Sequence, residues 1–242
     1  MKVRHQPATR VGLLICLIVF MLFAIASFDN FQVGAFADDA TYIVLARSLA
    51  RGLGYTLSNF PQPVREMTFP PGYPLMLTPL VYLWPNSFVP LKLLSLLATF
   101  VTIVFLFKVA IDKSKITFGT PALGSVIGLY AIHPWVVGAS GMVMSEAVYT
   151  CMTFITILLV WHYERKDQRV VLWAIFVAVM LVITSLIRTV GIALTIASFL
   201  YLGVVQRKPR HLVALVMAWI LSYSPVYLFN RNSGGGYYRQ DI

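Results

Sequence analysis

Two adjacent carboxylates, Asp38 and Asp39, open the longest polar stretch of an otherwise apolar chain. A positioned carboxylate can take the proton of a hydroxyl nucleophile as the new bond forms, so the pair are candidates for general-base catalysis. The plainer reading is structural: an aspartate at a helix start accepts hydrogen bonds from the exposed N–H groups and complements the helix dipole. Glu146, next to Ser145, carries the same two readings, catalytic or helix-opening. Arg188 interrupts a long apolar run. Its guanidinium matches the geometry of a phosphate, or it reaches from a helix end to the membrane surface. Arg47 and Arg51, four residues apart on one helical face, are either solvated charges or contacts for headgroups and phosphate.

Other chemistries have no residues to support them. The chain contains no Walker loop, dinucleotide fingerprint, zinc-ligand spacing or serine-nucleophile motif. Its two cysteines, Cys16 and Cys151, both sit inside apolar runs, away from any metal-ligand spacing or expected disulfide.

The elements that must position these groups belong to a membrane protein. Of 242 residues, 59% are hydrophobic and 12% charged, whereas soluble domains carry about 45–50% apolar and about 25% charged residues. Mean hydropathy is +0.79. The net charge of +10 would suggest nucleic-acid binding in a soluble protein. Here the basic residues form short clusters between apolar runs, which fits membrane orientation and no nucleic-acid partner.

The pattern predicts an all-α, polytopic membrane bundle of about seven spans. Residues 11–28 form the first, an uncleaved helix, since the apolar core of a signal peptide runs only about 7–15 residues. An external loop, 29–92, follows. Within it, Tyr42, Ala46, Leu49 and Leu53 recur at helical spacing, with Asp39, Arg47 and Arg51 largely off that face. That suits an amphipathic helix lying in the interface, ended by Gly52 and Gly54. Residues 75–84 are apolar but too short to span and read as a re-entrant or packed segment. Further spans are expected at 93–111, 121–137 and 142–163, the third ending at His133-Pro134-Trp135 with tryptophan in the interfacial belt. The run 170–205 would be about 54 Å long as one helix, against a hydrocarbon core of about 30 Å. It must fold back, at Arg188-Thr189-Val190-Gly191. A seventh span, 212–229, precedes a glycine-rich tail, 231–242.

Charge supports this layout. With the N-terminus cytoplasmic, Lys2, Arg4 and Arg10, then Lys108, Lys113 and Lys115, fall inside. So do Arg165, Lys166 and Arg169, then Arg207, Lys208 and Arg210. Asp29, Asp38, Asp39, Glu66, Glu146 and Asp241 fall outside, with Arg47, Arg51, Arg65, Lys92, Arg188, Arg231 and Arg239. The acids and Arg188 therefore share the external face near helix ends. A conduction path would need ionisable groups at mid-membrane depth instead.

In this order and placement the residues resemble the GT-C glycosyltransferases. The motif is a first span, then Asp38-Asp39-x-x-Tyr42-x-x-x-Ala46, then Gly52 and Phe69-Pro-Pro-Gly-Tyr-Pro74. Ser145-Glu146 at the fourth span and an arginine after the fifth extend it. The likeness is closest to the branch holding protein O-mannosyltransferases, lipid A aminoarabinose transferases and related bacterial enzymes, and covers about residues 1–230. It implies transfer of a sugar from a polyprenyl-phosphate donor to an external lipid, glycan or protein acceptor, with inversion. The resemblance makes Asp38 or Asp39 the base; Asp38 aligns with the first acid of the family's pair, which often reads Asp-Glu. Glu146 would place the acceptor, Arg188 would stabilise the departing phosphate, and Tyr42, Arg47 and Arg51 would contribute to the substrate site. A divalent metal serves some members and not others. Short loops and the absence of a retention signal point to a plasma (inner) membrane, with the active face external.

Family members usually continue with more spans and often a soluble domain. The chain is accordingly expected to be a fragment, a frameshifted product or a minimal module. The rival to the enzyme is a non-catalytic membrane protein, a transporter or an assembly subunit. A lipid-modifying enzyme acting without a sugar is a third reading.

Overall fold

The computed structural model describes residues 6–28, 33, 38–66, 68–112, 120–165 and 168–232. Lys2, Arg4, Asp29, Lys113, Lys115, Lys166, Arg239, Asp241 and the tail from 233 lie outside them.

The described residues are almost entirely helical. In chain order the helices are α1 (Gln6–Ala26), α2 (Asp38–Ala50), α3 (Gly72–Leu83), α4 (Val89–Asp112) and α5 (Thr120–Ile132). They continue with α6 (Pro134–Ser140), α7 (Ser145–Tyr163), α8 (Val170–Ile187), α9 (Gly191–Leu200) and α10 (Pro209–Asn232). Between α2 and α3 lies a small antiparallel hairpin, β1 (Thr56–Leu57) and β2 (Val64–Arg65), with Thr56 opposite Arg65.

Among the described residues, four helical stretches are long and apolar enough to cross a membrane: Val89–Phe107, Ser145–Tyr163, Val170–Ile187 and Pro209–Leu228. These coincide with the second, fourth, fifth and seventh expected spans. The other three are shorter. The apolar part of α1 covers Leu14–Ala26, and Gly191–Val205 is the return of the folded 170–205 run. The expected span 121–137 is broken in two at His133, whose backbone is extended (φ −62°, ψ 126°) ahead of Pro134. A proline disfavours helical geometry in the residue before it. His133 Nδ1 accepts from the Trp135 N–H at 3.2 Å and starts α6 afresh.

Two compact units divide the chain: residues 1–40 with 86–151, and residues 41–85 with 152–242. In the first, Phe20 and Ala24 of α1 pack with Ile103 and Phe107 of α4, Ile127 and Ala131 of α5, and Val137 of α6. Helix α4 also buries a polar stripe, Lys92, Ser95, Thr99 and Thr102, at helical spacing. The threonine hydroxyls donate to carbonyls one turn back, Thr99 to Ser95 and Thr102 to Ala98, so a helix can hold them without water.

In the second unit, α8 is central. Ala174, Val177, Ala178 and Leu181 pack against Leu215 and Ala218 of α10 and Val160 and Tyr163 of α7. Small residues at such a contact let helix backbones approach closely. After α9 the chain makes one π-helical turn over Tyr201–Val205, with the Gln206 N–H donating to the Tyr201 carbonyl at 2.8 Å. Among the described residues, two that are not glycine have left-handed backbones, Arg169 (φ 58°) and Arg207 (φ 51°). That conformation costs an L-residue about 1–2 kcal/mol.

Candidate functional site

Helix α2 begins with the acid pair. Asp39 is only 4% exposed, and its Oδ1 accepts from the Ala40 N–H at 2.8 Å. Asp38, one residue earlier, is half-buried. The expectation that Asp39 lies off the buried face is therefore corrected. Asp39, Tyr42, Ile43 and Ala46 are all buried at i, i+3, i+4 and i+7, while Leu53, past the helix end, is 49% exposed. Packing has selected a face rotated from the one that apolar residue types alone indicate.

In the first unit Glu146, the second residue of α7, lines a cleft of about 250 Å³ with Pro134, Trp135, Gly138, Ala139, Met142 and Met144. Its Oε2 is fully shielded from solvent. Neither Asp38 nor Asp39 lines that cleft. A carboxylate set in apolar and thioether walls can hold the hydroxyl or ammonium group of an otherwise apolar molecule. A further charged group in this unit, Lys92, is 2% exposed, its Nζ 6.0 Å from the centre of the Phe28 ring. Its sequence signal is a lone lysine in the first turn of an apolar helix.

The second unit holds the Phe69–Pro74 segment, and several side chains fix it. Tyr42 of α2 meets Phe69 edge-on at 5.3 Å and Tyr73 edge-on at 4.9 Å between ring centres. Such edge-to-face pairs add about 0.5–1.5 kcal/mol beyond their burial. The Tyr55 hydroxyl donates to the carbonyls of Phe69 (2.9 Å) and Pro70 (3.2 Å). Glu66, buried, accepts through Oε1 from the backbone N–H groups of Thr68 and Phe69. Sequence reasoning treats Glu66 as one more external acid and passes over Tyr55. The spacing Glu-x-Thr-Phe ahead of a double proline is the available clue.

That segment is seated on the end of α8. A Cβ placed on Gly72 would lie within 2.5–2.7 Å of the backbone of Leu186 and Ile187. One placed on Gly191 would lie within 2.6–2.7 Å of Thr184 and Ser185. Only glycine permits either approach. Arg188 follows as the C-cap of α8, extended (φ −146°, ψ 138°). Its N–H donates to the Thr184 carbonyl at 3.2 Å, and its carbonyl accepts from the Gly191 N–H at 2.9 Å. The expected fold-back at 188–191 is thus where the chain turns.

The structure brings Tyr42, the Phe69–Pro74 segment and the Arg188 turn into one unit. It gives Arg47 and Arg51 different settings. Arg47 donates to the Pro85 carbonyl at 3.2 Å, tying α2 to the end of α3, and Arg51 is exposed just past α2. Among the described residues, no group of three His, Cys, Asp or Glu side chains is placed to hold a metal ion. The chain matches no protein-family model, no curated protein and no solved structure.

Proposed function

We propose that this chain is a membrane glycosyltransferase of the GT-C type, moving a sugar from a polyprenyl-phosphate donor to an acceptor on the outer face of a plasma membrane. The observation that carries the proposal is the seating of Gly72 on the last turn of α8, immediately before Arg188. The segment that bears the family-like Phe-Pro-Pro-Gly-Tyr-Pro motif thereby packs on the helical turn from which Arg188, the arginine assigned to the leaving phosphate, emerges. A cation fixed before the reaction begins needs no reorganisation as charge develops, and such preorganisation is often a large catalytic term.

Each side chain then has a part. The acceptor oxygen attacks the anomeric carbon, and its proton passes to the Asp38 carboxylate. The bond from that carbon to the phosphate oxygen breaks, its electron pair leaving on the polyprenyl phosphate, and configuration inverts. Asp38 suits the base role better than Asp39, because Asp39 is buried and spends an oxygen on the start of its own helix. Arg188 neutralises the phosphate as it departs. Glu146 orients the acceptor, whose apolar part occupies the cleft beside it. Tyr42 holds the motif segment in place. Arg47 supports α2 through Pro85. In this reading the three shorter apolar segments complete seven spans, and α2 lies at the external surface.

The test uses membranes holding the whole chain, supplied with a panel of polyprenyl-phosphate-linked sugars and a lipid A-type acceptor. Release of polyprenyl phosphate together with a glycoside of inverted configuration supports the proposal. A folded chain that turns over none of the panel would overturn it and favour the non-catalytic reading.

A further inference from the structure

We propose that the end of the second unit remote from Arg188 carries a binding site for the phosphate of an anionic phospholipid, centred on Arg169 and Arg207. This proposal is independent of the glycosyltransferase reading.

Two connections meet there: the turn from α7 to α8, and the turn from the π-helical segment into α10. They are fastened together by buried and partly buried polar contacts. The Tyr163 hydroxyl donates to the His211 carbonyl at 2.9 Å. The Tyr201 hydroxyl donates to the Glu164 carboxylate, and Lys208 Nζ donates to the Glu164 carbonyl. Gln206 Nε2 donates to the Tyr201 hydroxyl at 2.8 Å. The π-helical turn belongs to this network, since Tyr201 begins it and Gln206 follows it. Such turns recur at functional positions.

On this fixed base, each connection places an exposed arginine in a left-handed backbone, Arg169 at φ 58° and Arg207 at φ 51°. Glycine or asparagine would adopt that geometry more readily. The backbone therefore gives no reason for an arginine at either position; the reason lies in the side chain. A third exposed arginine, Arg210, stands one residue into α10. Arg165 differs, since its charge already faces Glu164 at 3.6 Å and its guanidinium lies 4.0 Å over the Trp161 ring.

Guanidinium groups bind phosphate oxygens in pairs. The surroundings identify the phosphate as a lipid's. The arginines stand at the ends of apolar stretches that stop at Tyr163 and Val205 or start at Val170 and Pro209. Exposed apolar side chains lie near them in the chain: Val171 two residues after Arg169, Val204 and Val205 before Arg207, and Val213 at the start of the second turn of α10. A headgroup on the arginines would leave its acyl chains along these valines. Basic pockets between helices at a membrane surface hold anionic headgroups in this way.

Glycine at either left-handed position removes the guanidinium while suiting the backbone, so Arg169→Gly and Arg207→Gly are variants expected to fold. The purified full chain would be placed in phosphatidylcholine nanodiscs, with and without phosphatidylglycerol, and its thermal unfolding followed. Phosphatidylglycerol should raise the Tm of the parent chain. Each glycine variant should lose a large part of that rise while keeping or exceeding the parent Tm in phosphatidylcholine alone. Arg65→Gln, which removes one exposed charge elsewhere, should retain the rise. Three results would overturn the proposal: no rise in the parent chain, an equal loss in Arg65→Gln, or the same rise from inorganic phosphate in phosphatidylcholine discs. The second would mean bulk electrostatics, and the third a simple ion site.

Discussion

Gly72 rests directly on Leu186. A Cβ built on Gly72 would stand 2.5 Å from the Leu186 carbonyl carbon and 2.6 Å from its oxygen. Gly191 approaches Thr184 and Ser185 of the same helix end nearly as closely, a Cβ there standing 2.6–2.7 Å from their backbone. Residues 184–187 thus meet backbone at both Gly72 and Gly191, and Arg188 leaves the helix from a turn that has little room to move. Backbone contacts of this kind locate a side chain more firmly than contacts made through flexible groups.

Gly72→Ala should therefore be costly. The atoms it meets are backbone and cannot rotate aside, so overpacking of about 1–3 kcal/mol is expected. At Gly124, on α5, an added methyl group would find nothing within 4 Å. Gly124→Ala should be neutral or stabilising by up to about 1 kcal/mol, since alanine favours a helix. Thermal unfolding of both variants in one detergent checks the pair. Equal Tm values for the two would refute the tight contact.

The two aspartates should separate by phenotype. Asp38→Asn should abolish sugar transfer and leave Tm unchanged, because Asp38 is half-buried at the first position of α2. Asp39→Ala should lower stability by about 0.5–2 kcal/mol, the usual worth of a helix-opening hydrogen bond. Transfer assays on membrane preparations, paired with Tm on the purified variants, read both. A reversal of the two phenotypes would move the base to Asp39.

Chain punctuation is legible without knowledge of packing. Gly52 and Gly54 both have left-handed backbones (φ 74° and 76°) where α2 is expected to end. The turn at Arg188 to Gly191 follows from length alone, since no single helix of that extent fits a bilayer. Tertiary choices are less legible. Asp39 is a polar residue type and so reads as exposed, yet it is buried with Tyr42 and Ala46, because the packing partner decides which arc of a helix is covered. Lys92 reads as one more external charge and is among the most buried side chains. Glu66 and Tyr55 act on backbone groups of the loop ahead of α3, and no periodicity records such bonds. Strands of two residues, β1 and β2, are too short for an alternation to show.

Glu66 and Tyr55 should matter to the loop more than to the whole chain. Glu66→Ala leaves the N–H groups of Thr68 and Phe69 without their acceptor, and hydrogen bonds to charged groups are worth about 1.5–3 kcal/mol. Tyr55→Phe removes donation to two carbonyls, at about 0.5–1.5 kcal/mol. Glu66→Gln keeps a carbonyl oxygen and should retain most of the stability. Limited proteolysis between residues 58 and 70 would show the order Glu66→Ala fastest, then Tyr55→Phe, then Glu66→Gln and the parent chain. Identical cleavage rates in all four would remove these side chains from the account of the loop.

Arg188 gives the sharpest test of the proposed chemistry, because the turn before it is packed against Gly72 and its own backbone bonds to Thr184 and Gly191 whatever its side chain. Arg188→Gln should fold with near-parent Tm and lose transfer by about 10²–10³-fold, the scale seen when one preorganised donor to a developing charge is removed. Arg188→Lys keeps the charge but not the planar fork that grips two phosphate oxygens, so activity should fall between the two. The loss should sit mainly in kcat if the guanidinium meets charge that grows as the sugar leaves. It should sit in KM alone if it binds the resting phosphate equally well. Steady-state kinetics with a polyprenyl-phosphate-linked sugar distinguish these. Full activity in Arg188→Gln would remove the arginine from the reaction and leave its turn as a structural feature of α8.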